Sequence, residues 1–391
     1  MTEEQQHFEI IRPLVTREQA VKLCQELYNF NAVTCKELVS YDDRNFLVTG
    51  NFIGNTSDSV ETAQEPHSFV LKIANSLESQ GDILEQQCRL MQSLSEAGLK
   101  VQSVMKTVSG TIVDKKLLTT PADSSGRMVD RRHAVRMLTY LPGVPLGELP
   151  LTADMLESVA KEIGRVDWHL TRHFLTDPGA NAAELNLWSL LSAPKLVDFV
   201  QYVHGEARQR MVREIVAQFN SVVVGAAGAK SEATAQFTKA FIHGDPNESN
   251  ILVDGNPPVF SGLLDWQDSH RAYAVFDLAL LIMYTSFVQA KTDPTVDPFR
   301  LVVPPLIRGY TSEFKLAESE LRHLPLLVAT RFAQSLTLGA YSYARDPGND
   351  YLLTTACSWS TLDRLWNGHK NRLEQLGCEW LEMSRAPEQY K

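Results

Sequence analysis

Residues 241–265 read FIHGDPNESNILVDGNPPVFSGLLD. Two apolar, β-type runs, Phe241-Ile242 and Ile251-Leu252-Val253, flank a polar loop, and a third run, Val259 to Leu264, ends on Asp265. Runs of this kind, bounded by Gly, Pro and Asn, are the pattern of short strands. Three polar side chains, Asp245, Asn250 and Asp265, are thereby expected at the ends of rigid elements. In such a set one carboxylate can receive a hydroxyl proton, while an amide oxygen and a second carboxylate can hold Mg²⁺ beside a nucleotide phosphate. Hard oxygen donors suit that cation, whose other positions are filled by water and phosphate oxygens.

His243-Gly244-Asp245, with Asn250 five residues after the Asp and a hairpin leading to Leu264-Asp265-Trp266, resembles the catalytic core of the aminoglycoside-phosphotransferase-like kinases. These are small-molecule relatives of the protein kinases, with His-Gly-Asp in place of His-Arg-Asp and Asp-Trp where those carry Asp-Phe-Gly. A lone HGD would mark any turn; the ordered set of HGDxxxxN, hairpin and LDW carries the likeness. The resemblance implies an α+β, bilobal protein-kinase-like fold. Residues 1–142 would form a small antiparallel β-sheet lobe that binds nucleotide, and residues 143–391 a mainly helical lobe for catalysis and substrate. It also implies Asp245 as catalytic base and Asn250 and Asp265 as the metal ligands.

Composition agrees with a folded chain of this size. The 391 residues are 44% hydrophobic and 21% charged, and 37 Lys plus Arg stand against 47 Asp plus Glu, a formal charge of −10. This balance argues against a nucleic-acid partner and is compatible with a cationic small molecule, or simply with solubility. The start, MTEEQQHFEIIRP, lacks the basic and apolar segments of a signal peptide. The apolar run Leu278 to Met283 is expected to stop at Tyr284, too short to cross a membrane. Cys24, Cys35, Cys88, Cys357 and Cys378 are odd in number and lack any CxxC pair, which suits a reduced, cytoplasmic enzyme.

In the first lobe, Thr16 to Leu27 reads as a capped helix. Val33 to Val39 and Phe46 to Phe52 read as a hairpin around Tyr41-Asp42-Asp43-Arg44-Asn45. In a kinase-like lobe this hairpin lies over nucleotide phosphates, which makes Asp43 and Asn45 candidate nucleotide residues, although no Gly falls between Ser40 and Asn45. Phe69 to Ile73 is a strand interrupted by Lys72. Alone, such a lysine is an edge-strand charge; by resemblance it reaches the phosphates and is steadied by a helical Glu. Glu85, on the helix from Ile83 to Met91, is the first candidate for that Glu, and Glu78 the second. Val101 to Thr107, Thr111 to Thr119 and His133 to Tyr140 read as further strands, with a loop from Pro121 to Arg132. Backbone groups around Leu138, Tyr140 and Leu141 fall at the hinge, where they would meet a purine edge or simply link two domains.

From Thr152 the pattern turns helical, with Met155, Val159, Ile163, Val166 and Leu170 on one stripe. Leu187 to Phe199, Val212 to Val224, Val275 to Tyr284, Pro304 to Tyr310, Leu316 to Leu324, Ala329 to Ala344 and Leu352 to Leu376 continue it, and Val224 to Ala233 reads as a loop. Asp277 either braces the catalytic loop, as the resemblance implies, or is a first-turn acid favoured by the helix dipole.

Several stretches narrow the likeness. SYDDRNFLV, FVLKIAN, VRMLTYLPGVPLGELP, IHGDPNESNIL and RFAQSLTLGAYSYARDP together resemble the hydroxylysine kinases, with interruptions from about Tyr41 to Pro347. That resemblance implies transfer of the γ-phosphoryl group of GTP to the side-chain hydroxyl of 5-hydroxy-L-lysine. Pro246 departs from it, since Pro removes a backbone N–H beside Asp245. For a zwitterionic substrate with an extra ammonium, Asp268 is the candidate acid and Arg331 the candidate carboxylate clamp. The alternatives are an ATP-dependent kinase for choline, homoserine or an aminoglycoside, and a non-catalytic pseudokinase module.

Overall fold

The computed structural model describes residues 11–38, 40, 43–53, 66–80, 82–121, 128–177, 187–224, 237–345, 347 and 356–385. The N-terminal stretch, the hairpin tip at 41–42, most of the Ile53 to Ser68 connection, the PADSSG tip, the loop after Val224 and the segment from Leu352 to Thr355 lie outside the described residues. The chain divides into two compact units, Met1–Leu141 and Pro142–Lys391.

The first unit is an antiparallel sheet with two helices. Thr16 caps α1 (Arg17–Tyr28): its hydroxyl accepts the Gln19 N–H, and the Gln19 side chain accepts the Thr16 N–H. That reciprocal box satisfies two donors the helix start leaves open. Next come β1 (Phe30–Leu38), β2 (Arg44–Phe52), β3 (His67–Ile73), α2 (Ile83–Glu96), β4 (Asp114–Pro121) and β5 (Met128–Thr139). The strands lie in the order β1-β2-β3-β5-β4. Strand alternation sends Phe46, Val48, Phe69, Leu71, Ile73, Val135 and Met137 into one core with Ala20, Leu23, Cys24 and Leu27 of α1. Edge-to-face contacts at 5.2 Å join Phe30 to both Phe52 and Phe69. The other face carries Asn45, Lys72 and Arg136, directly opposite one another across β2, β3 and β5.

Two strand expectations change. Val101 to Thr107 forms no strand but only isolated bridges, among them Val104 to Leu138, and β5 starts at Met128, well before His133. Pairing against β4 extends the strand through polar residues that alternation alone does not mark.

The second unit begins with β6 (Val144–Pro145) and α3 (Ala153–Phe174), whose expected apolar stripe is buried. The stretch expected as a helix from Leu187 is a 3₁₀ run, Leu190–Asp198, with Pro194 inside it; Pro cannot supply an i→i−4 donor. Helix α4 (Glu206–Phe219) starts earlier than its apolar residues suggest. Then β7 (Lys239–Ile242), β8 (Ile251–Asp254) and β9 (Val259–Leu263) appear as read from the sequence. A further strand, β10 (His270–Tyr273), pairs antiparallel with β7; at four residues it is too short to show a period.

Helix α5 (Ala274–Thr292) runs past Tyr284, contrary to the expected stop. It is long and apolar enough to cross a membrane by that measure alone, but 83% of its apolar window is buried within the protein. That is the behaviour of a core helix. Against it pack α6 (Pro298–Glu313) and α8 (Leu324–Arg345); α9 (Trp359–His369) packs on α8, and α10 (Leu373–Arg385) on α6, α8 and the short α7 (Glu318–Leu321). Asp297 caps α6 by accepting the Phe299 N–H, with Pro298 at the first helical position, which moves the helix start upstream of the expected Pro304.

Candidate active site

The loop between β7 and β8 holds its functional side chains by their own backbone neighbours. Asn247 is the organiser: its Nδ2 donates to Asp245 Oδ2 at 2.6 Å, and its Oδ1 accepts the N–H groups of Ser249 and Asn250 at 2.8 and 3.0 Å. The Asn247 N–H closes onto Asp245 O at 2.8 Å, so the loop is tied without any donor from Pro246. Asn250 turns its Nδ2 to Asp245 O and Oδ2 at 3.1 and 3.3 Å. Its amide oxygen is thus directed away from Asp245, and among the described residues it accepts no hydrogen bond.

Gly244 has a φ of 86°, and a Cβ there would stand 2.1 Å from Asp268 O. Only glycine fits that backbone contact. His243 is fully buried and neutral: burial holds its pKa down at about 4, despite the Asp265 charge and the Leu264 carbonyl. Its Nε2–H donates to Leu264 O at 3.0 Å, and its Nδ1 accepts the Asp245 N–H at 3.3 Å. One imidazole thereby ties the β7–β8 loop to the end of the β9 segment. Its ring also meets Trp266 edge-on at 4.7 Å.

Asp265 follows at a φ of 62°, a left-handed conformation that a non-glycine residue keeps only when its surroundings demand it. Its Oδ1 is shut off from solvent and has no hydrogen-bond partner among the described residues. A buried, unpaired carboxylate oxygen is costly unless a cation meets it, so Asp265 with the Asn250 amide oxygen fits a hard divalent ion. No cluster of three or more His, Cys, Asp or Glu forms a metal cage among the described residues.

Arg331 and Asp268 enter the same cluster in an unexpected way. The guanidinium expected to clamp a substrate carboxylate is 1% exposed and donates to Asp245 Oδ1 at 2.9 Å. Its other Nη N–H groups go to Tyr284 Oη, Trp188 O and Gln334 Oε1, while its buried Nε–H meets no acceptor among the described residues. The charges of Tyr284, Asp245 and Asp268 raise its pKa against the opposing effect of burial. The Asp268 carbonyl accepts the His270 Nδ1–H at 2.7 Å, and His270 Nε2 meets Ser189 Oγ at 2.8 Å. The Asp245 carboxyl is itself pushed upward, first by burial and then by the charge of Asp265, with Arg331 opposing.

Glu248, which sequence reasoning passed over, is a further acid in this loop. Burial pushes its carboxyl up to about 7, and its Oε2 has no partner.

In the first unit, Asp43 does not present its carboxylate as a free group. Its Oδ1 accepts the backbone and side-chain N–H groups of Asn75 at 2.9 and 3.1 Å. The same Asn75 amide donates to Glu78 Oε1 at 3.0 Å, making Asn75 a hub that no sequence pattern singles out. Asn45 Oδ1 is buried without a partner, opposite Lys72. The carboxylate that feels Lys72 is Glu78: burial and Asp43 raise its pKa to about 7, while Arg136 and Lys72 pull the other way. Among the described residues no ion pair joins Lys72 to Glu85. Leu138 is held between Val70 and Val104, and the Tyr140 N–H donates to Ser68 O. The backbone at these two positions is therefore already engaged by the sheet.

Comparison with known proteins gives a consistent picture. A model of the phosphotransferase enzyme family matches residues 36–300. A hydroxylysine kinase of Xenopus laevis is 30% identical over 384 residues, covering 95% of this chain and 94% of its own. A hydroxylysine kinase of Bos taurus is 29% identical, covering 98% and 97%. Among solved structures, a microcompartment-associated aminopropanol kinase superposes with a TM-score of 0.65 at 15% identity, covering 90% of this chain and 98% of that one.

Proposed function

Because the chain belongs to the phosphotransferase enzyme family, we propose that it transfers the γ-phosphoryl group of GTP to the side-chain hydroxyl of 5-hydroxy-L-lysine. The products would be 5-phosphohydroxy-L-lysine and GDP. Phosphorylation of an alcohol follows from the family and from relatives named hydroxylysine kinase; the donor and the acceptor are the proposal. The observation that supports it most is the joint placement of Asp245, Asn250 and Asp265, with the amide oxygen of Asn250 and the Oδ1 of Asp265 both left without hydrogen-bond partners.

In the proposed mechanism Asp245 accepts or orients the proton of the acceptor hydroxyl. Arg331 and Asn247 hold its two carboxylate oxygens in one orientation. Asn250 and Asp265 would ligate Mg²⁺, which when bound neutralises charge on the donor phosphates. Lys72 binds phosphate oxygens and is steadied by Glu78, with Glu85 as the alternative partner. Asp43 acts indirectly, by fixing Asn75 and through it Glu78. Asn45 keeps an unpaired amide oxygen on the strand beside Lys72. With Leu138 and the Tyr140 N–H engaged by the sheet, the Tyr140 carbonyl and the Leu141 backbone are the groups that would take the purine edge. Asp268 and Glu248 are the acids offered to the ammonium groups of the acceptor. Catalysis comes mainly from positioning and charge neutralisation. The free thiols of the described cysteines suit the cytoplasmic setting proposed for the enzyme.

The test is a panel of 5-hydroxylysine, choline, homoserine and an aminoglycoside, each with radiolabelled GTP and ATP in Mg²⁺. 5-Hydroxylysine with GTP should give the highest kcat/KM. Preference for another acceptor would overturn the substrate, preference for ATP the donor, and no transfer to any acceptor the kinase itself.

A further inference from the structure

Beneath the catalytic loop lie two carboxyl groups, Asp167 of α3 and Asp277 of α5, each fully buried. Asp277 behaves as an acceptor throughout. Its Oδ2 accepts the His243 N–H at 2.9 Å, and the Gly244 N–H approaches its Oδ1 and Oδ2 at 3.0 and 3.2 Å. Asp167 is differently placed. Its Oδ2 accepts the Tyr310 hydroxyl at 2.6 Å, and its Oδ1 lies 3.4 Å from the same His243 N–H. Two carboxyl oxygens from different helices thus converge on one backbone N–H with no cation between them. Two like charges this close and this dry cannot both persist, so one proton must be shared. The three short N–H contacts select Asp277 as the ionised partner, which leaves the proton on Asp167.

We propose that Asp167 is a positioning residue that works as a neutral carboxylic acid, donating its proton to Asp277 so that Asp277 can hold the His243-Gly244 backbone behind Asp245. It deepens the kinase assignment and rests on it for the role of Asp245, but the carboxyl pair stands on its own geometry. Burial, then the neighbouring carboxyl, pushes both acids upward, Asp277 to about 7. The other titratable groups around the pair are accounted for. Tyr310 of α6 donates to Asp167 and to Ala274 O. His243 stays neutral, and Asp245 adds negative charge from the loop. Glu320 of α7 turns to Thr238, and Arg271 of β10 turns to the carbonyls of Phe174, Leu175 and Asp177. None of these places a positive charge between the two acids.

An amide has the hydrogen-bonding pattern of a protonated acid, so Asp167→Asn should stand in for the native group, its Oδ1 facing Tyr310 and its Nδ2 facing Asp277. Asp167→Leu keeps the volume and removes the donor. In the full-length protein with Mg²⁺, nucleotide and acceptor, Asp167→Asn should retain most turnover. Asp167→Leu should lose about tenfold or more in kcat, with both KM values little changed. The native enzyme should lose kcat and thermal stability as pH rises above neutral, while Asp167→Asn holds both. A difference infrared spectrum at neutral pH should show one buried protonated carboxyl lost in Asp167→Asn. The proposal is overturned if the Asn and Leu variants fall equally, if the native and Asn proteins share one alkaline profile, or if no protonated carboxyl disappears. Should the native protein phosphorylate none of the acceptors, the kinase assignment fails, and the infrared and stability measurements still decide the carboxyl pair.

Discussion

The Arg331 guanidinium donates to Asp245 Oδ1 at 2.9 Å from a position that is 1% exposed. It lies over the rings of Trp188 and Tyr284, 5.4 Å from each centroid. A guanidinium so enclosed has few other ways to meet its charge, and a carboxylate left opposite an apolar side chain would be stranded. Breaking a buried pair by removing one member costs far more than the pair contributes. Arg331→Met should therefore destabilise the protein by about 3 kcal/mol, measured by urea denaturation. It should also lower kcat with nucleotide affinity preserved. Arg331→Lys keeps the charge but cannot reproduce the fork that reaches Asp245 and Trp188 O together, and it should restore only part of the loss. A rise in acceptor KM with normal kcat would instead identify Arg331 as the substrate clamp.

Asp245→Asn tests the base directly. Loss of a general base typically costs about 10²–10⁴-fold in rate, and nucleotide binding should survive because neither Asn250 nor Asp265 is altered. The variant also places an amide near Asn247 Nδ2, which now donates to Asp245 Oδ2 at 2.6 Å. Calorimetric titration with GTP separates the two effects: binding should be retained while turnover disappears. Full activity in this variant excludes Asp245 as the base.

Much of this cluster was legible because Asp245, Asn250 and Asp265 lie within one hairpin, where spacing in sequence becomes spacing in space. The β7, β8 and β9 runs are apolar and short, so turn residues mark their ends. Lys72 stood out as a charge within an apolar strand. Asp167 did not, because on an amphipathic helix a single acid near the apolar stripe looks like an ordinary border residue; only the packing of α3 against α5 and α6 shows that it is fully buried. Asn75 and Asn247 were equally silent, since Asn in a turn needs no further explanation. The chemistry of Arg331 is readable from residue type, but its tie to Asp245 is made between residues far apart in sequence.

Glu78 and Glu85 give opposite predictions for nucleotide binding. Glu78 feels the charges of Lys72 and Arg136 and is anchored by Asn75, whereas among the described residues Glu85 makes no ion pair with Lys72. Glu78→Gln should raise the KM for nucleotide several-fold, and Glu85→Gln should leave it near the native value. Steady-state kinetics with GTP varied at saturating acceptor decides between them. A larger effect at Glu85 would return the steadying role to the helix.

His243 should make the β7–β8 loop sensitive to acid. Its folded pKa is about 4 against an ordinary value of 6.5, so folding favours the neutral ring. The stability this contributes is complete above pH 6.5 and is lost as pH falls through about 4; the full difference corresponds to about 3 kcal/mol. The buried acids act with the opposite sign. The Asp167–Asp277 pair, both of whose carboxyls are pushed upward, Asp277 to about 7, contributes stability that is present below the ordinary carboxylate range and lost as the shared proton leaves with rising pH. The native curve alone would therefore mix the two. Comparison with His243→Gln isolates the imidazole, since the Gln amide can still donate toward Leu264 O but cannot be protonated in this range. Urea denaturation of both proteins at pH 7 and pH 5 should show the native protein losing stability relative to the variant as pH falls. Parallel changes in the two proteins would mean that the ring is not held neutral by the fold.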